Sequence, residues 1–199
     1  KDLNEATRLQ CLVANKKSSL QDKSQFVEYE RLQGVFEYGF DEVSKALFLR
    51  GDDVVSFDED NYKTRPWCKY SETCTSIIVA DGIPSISNNA FRDFTSLRSV
   101  SIPLTVESIG EKAFCDCSGL ESIVIPDCIK LIGESAFSRC TALKSITIPE
   151  EIIDIRESAF EGCVNLASVT INGSLQSIGE STFKGCKGLT GFKISCGTA

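Results

Sequence analysis

The sequence predicts an α/β-type solenoid: a right-handed superhelix with a parallel sheet on its concave face and an N-terminal β-hairpin cap. The first observation is a pattern that recurs every 23 residues across residues 91–192. The second is a pair of alternating apolar positions in each copy, which is the period of a β-strand. The third is the stretch 34–73, where two apolar runs are joined by polar residues, as in a hairpin.

Positions that share the 23-residue step are called a column. One column is phenylalanine, another is leucine six residues later, and a third is mostly cysteine. A repeat of this length built on L-x-x-I-x-I is typical of a leucine-rich solenoid, in which stacked copies bury one continuous core. We expect the phenylalanine column and the cysteine column to lie in that core, the cysteines as small buried hydrophobes. These residues are Phe91, Phe114, Phe137, Phe160 and Phe183, with Cys117, Cys140, Cys163 and Cys186.

The segment 121–125 illustrates the strand predicted in each repeat. Ile123 and Ile125 should point into the core, while Ser122 and Val124 should point outward. Pro126 then ends the strand, because proline cannot donate to a strand ladder. The segment that follows, on the back of the solenoid, is predicted to be irregular or helical.

The run at residues 143–149 (LKSITIP), followed by residues 155–163 (IRESAFEGC), resembles the BspA-like (Treponema-type) leucine-rich repeat family. That family has the strand L-x-S-I-x-I-P and the back segment I-G-x-x-A-F-x-x-C. Arg156 replaces the usual glycine, and Thr182 replaces the usual alanine. The resemblance spans about residues 34–196 and implies a surface adhesin that binds host proteins or other cells.

The chain divides into three predicted regions. Residues 1–33 form an N-terminal extension, with a short helix considered over 3–14. Residues 34–73 form the cap, whose hairpin strands are 35–40 and 46–50, and residues 74–199 form the repeats. Trp67, the single tryptophan, is expected in the core, where it would cover the edge of the first repeat.

The residue types present argue against an enzyme. The chain has no histidine, which removes the usual general base and the Cys-His and Ser-His nucleophile pairs. It also lacks the common nucleotide-binding and hydrolase motifs. We therefore expect no catalytic residues, no cofactor and no metal site.

One acidic cluster allows two interpretations, a calcium site or a solvated loop. Calcium needs six to eight oxygen ligands on a suitable loop, and the spacing matches no recognised calcium loop. The solvated loop is therefore favoured. The cluster is Asp52, Asp53, Asp58, Glu59 and Asp60.

The ten cysteines leave the redox compartment open. A Cys68–Cys74 bridge across the cap is conceivable, but connectivity cannot be deduced from sequence. Such a bridge would favour an exported protein, whereas free thiols throughout would favour an intracellular one.

The net charge limits the classes of partner that the chain is expected to bind. A formal charge of −7 and a pI near 4.8 argue against binding nucleic acid or an anionic membrane, and no stretch is apolar enough to cross a bilayer. We expect no signal peptide within these 199 residues. Because the chain starts at Lys1 and has no methionine, we expect a mature or trimmed chain whose targeting segment has been removed.

The outward positions of the predicted strands define the candidate binding surface, here called the concave face. One outward column is small and uniform, and a structural hydroxyl ladder is favoured there. The other varies and is the candidate protein-binding column. The first comprises Ser76, Ser99, Ser122, Ser145, Ser168 and Gly191; the second comprises Ile78, Ser101, Val124, Thr147, Thr170 and Lys193.

The predicted function is a non-enzymatic protein-binding module of a secreted or cell-surface, adhesin-like protein. The expected partner is a protein, such as a host or extracellular-matrix protein. The alternative is an intracellular leucine-rich repeat scaffold or regulator that uses the same face. Self-association through the C-terminal end is also considered, because an exposed strand edge invites pairing with another chain.

Overall fold

The computed structural model describes residues 29–32, 36–51, 62–173 and 175–195. The only helices in these ranges are two short 3-10 helices in the cap, Tyr62–Thr64 and Pro66–Tyr70. The strands are β1 (Tyr29–Leu32), β2 (Phe36–Asp41), β3 (Ala46–Gly51), β4 (Ser76–Val79), β5 (Ser85–Ile86), β6 (Ser99–Ser101), β7 (Ser108–Ile109), β8 (Leu131–Ile132), β9 (Ser145–Ile148), β10 (Asp154–Ile155), β11 (Ser168–Asn172), β12 (Ser177–Ile178) and β13 (Gly191–Ser195).

The predicted hairpin is present and connects the cap to the repeats. Strands β2 and β3 pair in antiparallel register, and β3 then pairs in parallel with β4, the first long strand of the solenoid. Strand β1, which was not predicted, pairs with the other edge of β2. The helix considered over 3–14 and the acidic cluster at 52–60 lie outside the described residues. The division of the chain at residue 73 stays a prediction.

Most repeats contribute one long strand and one short strand to parallel sheets, which confirms the solenoid. The long strands form the concave face, in the order β1-β2-β3-β4-β6 and, separately, β13-β11-β9. The two-residue strands form a continuous second sheet, in the order β12-β10-β8-β7-β5, here called the short-strand sheet. The core lies between these sheets and the back of each repeat.

The back segments are turns rather than helices. Two residues in each repeat have left-handed backbone, with φ between +51° and +76°. A right-handed helix cannot pass through such residues. The back segment was predicted to be either irregular or helical, and the structure shows the irregular form. The first column is Asn89, Lys112, Ser135, Ser158 and Ser181; the second is Asp93, Asp116, Arg139, Gly162 and Gly185.

The phenylalanine column forms one stack through the molecule. Successive rings from Phe91 to Phe183 lie 5.3–5.6 Å apart, and from Phe114 onward they are nearly parallel. Each cysteine in the third column donates its thiol to the phenylalanine carbonyl 26 residues earlier, for example Cys140 to Phe114 at 3.2 Å. These side chains are buried except for Phe183 and Cys186, which are partly exposed in the last repeat.

Trp67 lies in the core at the N-terminal end of the stack. It is 2% exposed, and its indole N–H donates to the Ala90 carbonyl at 2.8 Å. Its ring meets Tyr38 edge to face at 5.5 Å. This arrangement joins the 3-10 helix, the hairpin and the first repeat.

The suggested Cys68–Cys74 bridge is wrong. All eight cysteines within the described ranges are free. The Cys74 thiol is buried and donates to the Ser76 carbonyl at 3.2 Å, while Cys68 lies 3.8 Å from the Arg65 guanidinium. Each thiol therefore already has its own polar partner.

Candidate functional site: the concave face

The candidate binding column lies on the outward side of the long strands. Strand register places Ile78 beside Ser101, and places Thr170 between Thr147 and Lys193. Thr147 and Lys193 are exposed, whereas Ile78, Ser101 and Thr170 are partly buried. The structure therefore groups these residues into two sets, separated by the segment that carries Val124.

The concave sheet is interrupted at that segment. Residues 122–125 keep the predicted alternation, with Ile123 and Ile125 inside and Val124 46% exposed, but they form no strand. No ladder hydrogen bond joins them to β6 on one side or to β9 on the other. The nearest backbone link is from the Lys144 N–H to the Glu121 carbonyl, at 3.2 Å. Residues 122–125 between β6 and β9 are here called the strand gap.

We attribute the strand gap to prolines. The column that contains Ala80 can donate an N–H back to the preceding repeat, as Ala80 does to the Leu49 carbonyl at 2.8 Å. Pro103, Pro126 and Pro149 occupy this column next and have no N–H to donate. The ladder between β4 and β6, which ends before Pro103, has three residue pairs. The ladder between β6 and residues 122–125, which would end before Pro126, is missing, and so is the ladder between residues 122–125 and β9, which would end before Pro149.

The last two residues of this column again have a backbone N–H. Asn172 and Ser195 follow Pro149 in the same column, and the sheet resumes with ladders of four and five residue pairs. The predicted strand at 121–125 is therefore wrong, because its apolar pattern is right but its closing donors are absent.

The core is less well covered beside the strand gap. Ile123 and Ile125 are 8% and 6% exposed, whereas Ile146 and Ile148 in the same columns are 2% and 0% exposed. On the other side of the gap, Val100 and Ile102 are only partly buried. Aliphatic surface and unpaired backbone groups therefore occur together on the concave face.

A row of alternating charges borders the strand gap. Glu121 lies between two cations, 3.5 Å from Arg98 and 2.5 Å from Lys144. Arg98 also donates to the Gly119 carbonyl at 3.4 Å, across the missing ladder. The hydrogen bond from Lys144 lowers the pKa of Glu121, so this carboxylate is ionised at neutral pH.

The predicted hydroxyl ladder is wrong. The described serines of that column, from Ser76 to Ser168, make no side-chain hydrogen bonds to one another, and most are exposed. Adjacent strands hold them in register, but short serine side chains do not reach across the spacing between strands. These hydroxyls face solvent and are available to a ligand.

Three features were missed from the sequence. The prolines were predicted only to end each strand, and neither the loss of a ladder nor the alternating charges of the Arg98 column were predicted, although both columns are visible at the 23-residue step. The left-handed columns carried only a weak signal, because glycine appears in them at Gly162 and Gly185 alone.

The described residues include no group of three or more acidic or cysteine residues able to hold a metal ion, and no helix long and apolar enough to cross a membrane. Burial raises the pKa of the Cys117 and Cys140 thiols well above the ordinary value, so both stay protonated and unreactive. The Cys115 thiol is similarly affected, with its pKa raised to about 11.

Solved structures similar to this chain are bacterial leucine-rich repeat proteins. A leucine rich cell surface protein from Faecalibacterium prausnitzii is 30% identical, with a TM-score of 0.63 over 84% of this chain and 39% of its own. The Treponema pallidum leucine-rich repeat protein is 21% identical, with a TM-score of 0.59 over 83% of this chain and 85% of its own. The pneumococcal vaccine antigen PcpA is 16% identical, with a TM-score of 0.56 over 86% of this chain and 37% of its own.

The chain thus spans well under half of the Faecalibacterium protein and of PcpA, and most of the Treponema protein. The likenesses to the Treponema protein and to PcpA, at their low identity, show the fold alone. A comparison with curated proteins gives no match.

A repeat solenoid with an exposed strand face belongs to the class of protein-interaction modules. Six copies of the BspA type leucine rich repeat region match residues 67–190. The chain therefore belongs to the BspA-type leucine-rich repeat family, whose members are generally non-enzymatic.

Proposed function

We propose that this chain is a non-enzymatic binding module of a secreted or cell-surface, adhesin-like protein, and that the strand gap is the centre of its protein-binding surface. The observation that carries this proposal is the combination found at the gap: backbone groups without ladder partners beside exposed aliphatic surface. Cell-surface location is supported by the Faecalibacterium relative, which is described as a cell surface protein.

The chemistry of the gap favours a polypeptide ligand. Backbone N–H and C=O groups without partners gain most from another backbone. Val124, Val100 and Ile102 offer apolar contact, and Arg98 and Lys144 can meet carboxylates at the rim. The net charge of −7 disfavours nucleic acid, whose phosphates need a basic surface. An extended protein segment, such as one from a matrix protein, suits all of these features.

The test compares two valine substitutions. Val124→Glu places a charge in the strand gap, and Val164→Glu makes the same change at an exposed valine away from the concave face. Each variant and the native chain would be passed over immobilised fibronectin, laminin and collagen. We expect Val124→Glu to weaken binding to the recognised protein at least tenfold, and Val164→Glu to leave it within twofold.

The wider face is tested by Thr147→Glu combined with Thr170→Glu. Loss of binding in this double variant but not in Val124→Glu would move the site from the gap to β9 and β11. Binding that survives both changes, or binding to none of the three proteins, contradicts the proposal.

A second candidate is an intracellular scaffold that uses the same face, and one observation favours it. All eight described cysteines are free thiols, as expected in a reducing compartment. The two locations differ in the outcome of protease treatment of intact source cells. Digestion of the chain on intact cells supports surface display, whereas protection until the cells are lysed supports the scaffold.

A further inference from the structure

The row of charges beside the strand gap is positive overall, although the chain is acidic. Arg98, Glu121 and Lys144 occupy one column in successive repeats and are here called the charged row. Two cations share one carboxylate in this row, while the whole chain has a net charge of −7. Among the described residues, no other carboxylate pairs with either cation. The charged row can therefore attract a further anion.

Both ion pairs in the charged row are open to solvent. The side chains of Arg98 and Lys144 are 61% and 68% exposed, and that of Glu121 is 47% exposed. Ion pairs between such well-solvated groups are weak, because each partner loses little by returning to water. A carboxylate that a ligand brings to the row can therefore replace Glu121.

The backbone does not hold Glu121 against Arg98. Elsewhere in this column, the Arg98 N–H donates to the Thr75 carbonyl and the Ala167 N–H donates to the Lys144 carbonyl, both at 2.8 Å. Within the described residues, no such bond joins the Glu121 N–H to the Arg98 carbonyl. The Glu121 side chain can thus leave Arg98 without breaking a ladder bond.

Hydroxyl and apolar groups adjoin the charged row on the concave face. Ser99, Ser122 and Ser145 follow its three members along the chain, and their exposed hydroxyls bond to no other described residue. Val124 is 46% exposed and lies three residues beyond Glu121, which is about 10 Å of extended backbone. A ligand that spans this distance would meet cations at one end and apolar surface at the other.

We propose that the strand gap recognises an extended protein segment that carries a carboxylate beside apolar residues, and that Glu121 takes the place of this carboxylate in the free chain. The ligand carboxylate would pair with Arg98 and Lys144, and its apolar residues would contact Val124. This inference rests on the proposed function, because it specifies the ligand of the same site. A sulfated polysaccharide is a poorer ligand, because it has no apolar side chains to contact Val124.

The probe is a fluorescent seven-residue peptide with blocked ends, in which four threonines alternate with valine, aspartate and valine. In an extended peptide the aspartate and both valines lie on one face. The control peptide has asparagine in place of aspartate, which keeps the shape and removes the charge. We expect the aspartate peptide to bind the native chain about fivefold more tightly, with a smaller difference at high salt. Equal binding of the two peptides, or no binding of either, would overturn the proposal.

Substitutions in the charged row should act in opposite directions. Glu121→Gln removes the competing carboxylate, so we expect the aspartate peptide to bind about threefold more tightly. Arg98→Gln and Lys144→Gln each remove a partner and should weaken binding by about fivefold. If Glu121 only positioned the two cations, Glu121→Gln would weaken binding instead, and that result contradicts the proposal.

The exposed pair of Lys130 and Glu107 provides matched controls. It also joins successive repeats, at 2.9 Å, but it lies beside the short strands β7 and β8. Glu107→Gln and Lys130→Gln make the same changes of net charge and should leave the affinity for the aspartate peptide within about twofold. Equal effects in the two pairs would show attraction to overall charge and would overturn the proposal.

Comparison with Val124→Glu separates this inference from the proposed function. Matrix-protein binding that Val124→Glu abolishes, but that Arg98→Gln and Lys144→Gln leave unchanged, would retain the strand gap as the site and overturn the acidic ligand. Heparin that binds the native chain when the aspartate peptide does not would assign the charged row to a sulfated polysaccharide, which also overturns this inference.

Discussion

The same repeats build two parallel sheets, and only one of them is continuous. The short-strand sheet runs from β5 to β12 without a break, whereas the concave sheet stops on either side of residues 122–125. Residues 122–125 keep the apolar alternation of the long strands that do pair. Burial of apolar residues therefore does not by itself decide whether neighbouring strands pair, and we attribute the break to the donors that Pro126 and Pro149 lack.

Proline is tolerated in one sheet and disruptive in the other for a geometric reason. Pro84 precedes β5, at the edge of the short-strand sheet, and contributes only its carbonyl, which accepts from the Glu107 N–H at 2.8 Å. Pro126 stands where an N–H is needed. The position of a proline relative to the ladder thus matters more than the number of prolines.

The largest expected effect comes from disturbing the continuous sheet. A Cβ on Gly133 would lie 2.6 Å from the Gly110 carbonyl carbon, a backbone atom that cannot move independently. We expect Gly133→Ala to lower the free energy of unfolding by about 3 kcal/mol. Gly191→Ala is the control, because its Cβ would have no neighbour closer than 3.5 Å. Urea denaturation measures both, and equal effects would refute the close-approach argument.

A smaller effect is expected from repairing the broken sheet. Pro126→Asn restores the missing N–H and copies Asn172, whose strand pairs fully. We expect amide exchange in residues 122–125 to slow by roughly tenfold, as the ladder to β6 forms. Pro84→Asn is the matched control and should leave those rates unchanged.

The proposed binding site should also depend on the missing N–H at position 126. If the strand gap is the site, Pro126→Asn should also weaken ligand binding without adding any charge. Unchanged exchange in Pro126→Asn would show that something other than the missing donor opens the sheet.

The smallest effect concerns the charges beside the strand gap. The Lys144 hydrogen bond lowers the pKa of Glu121, so its stabilisation is present above the unfolded pKa and is lost as pH falls through the folded pKa. Glu121→Gln should therefore reduce the loss of stability between neutral and acidic pH, measured by urea denaturation at pH 7 and at about pH 3.5. An unchanged difference between the two pH values would show that this exposed pair contributes nothing measurable.

The fold was largely predictable because each repeat carries the same burial pattern. The phenylalanine and leucine columns and the hairpin follow from apolar spacing, and the buried position of Trp67 follows from its size and the need to cover the edge of the first repeat. The absence of a strand at 122–125 could not be predicted from apolar spacing, because residues 120–126 alternate in the same way as residues 143–149, which do contain a strand. Its signal was the run of Pro103, Pro126 and Pro149 in a column that needs donors. Likewise, the left-handed columns were hidden because Asp, Ser, Lys and Arg fill positions where glycine would have been recognised.

The strand gap also determines how the solenoid carries mechanical load. At the junction between the repeats of β6 and residues 122–125, backbone hydrogen bonds remain in the short-strand sheet and along the back, for example from Phe114 to Ala136 at 2.8 Å. Tension along the solenoid axis is therefore borne off-centre at this junction, by one side of the cross-section. We therefore expect a molecule under load to bend open at the concave face before the stack separates.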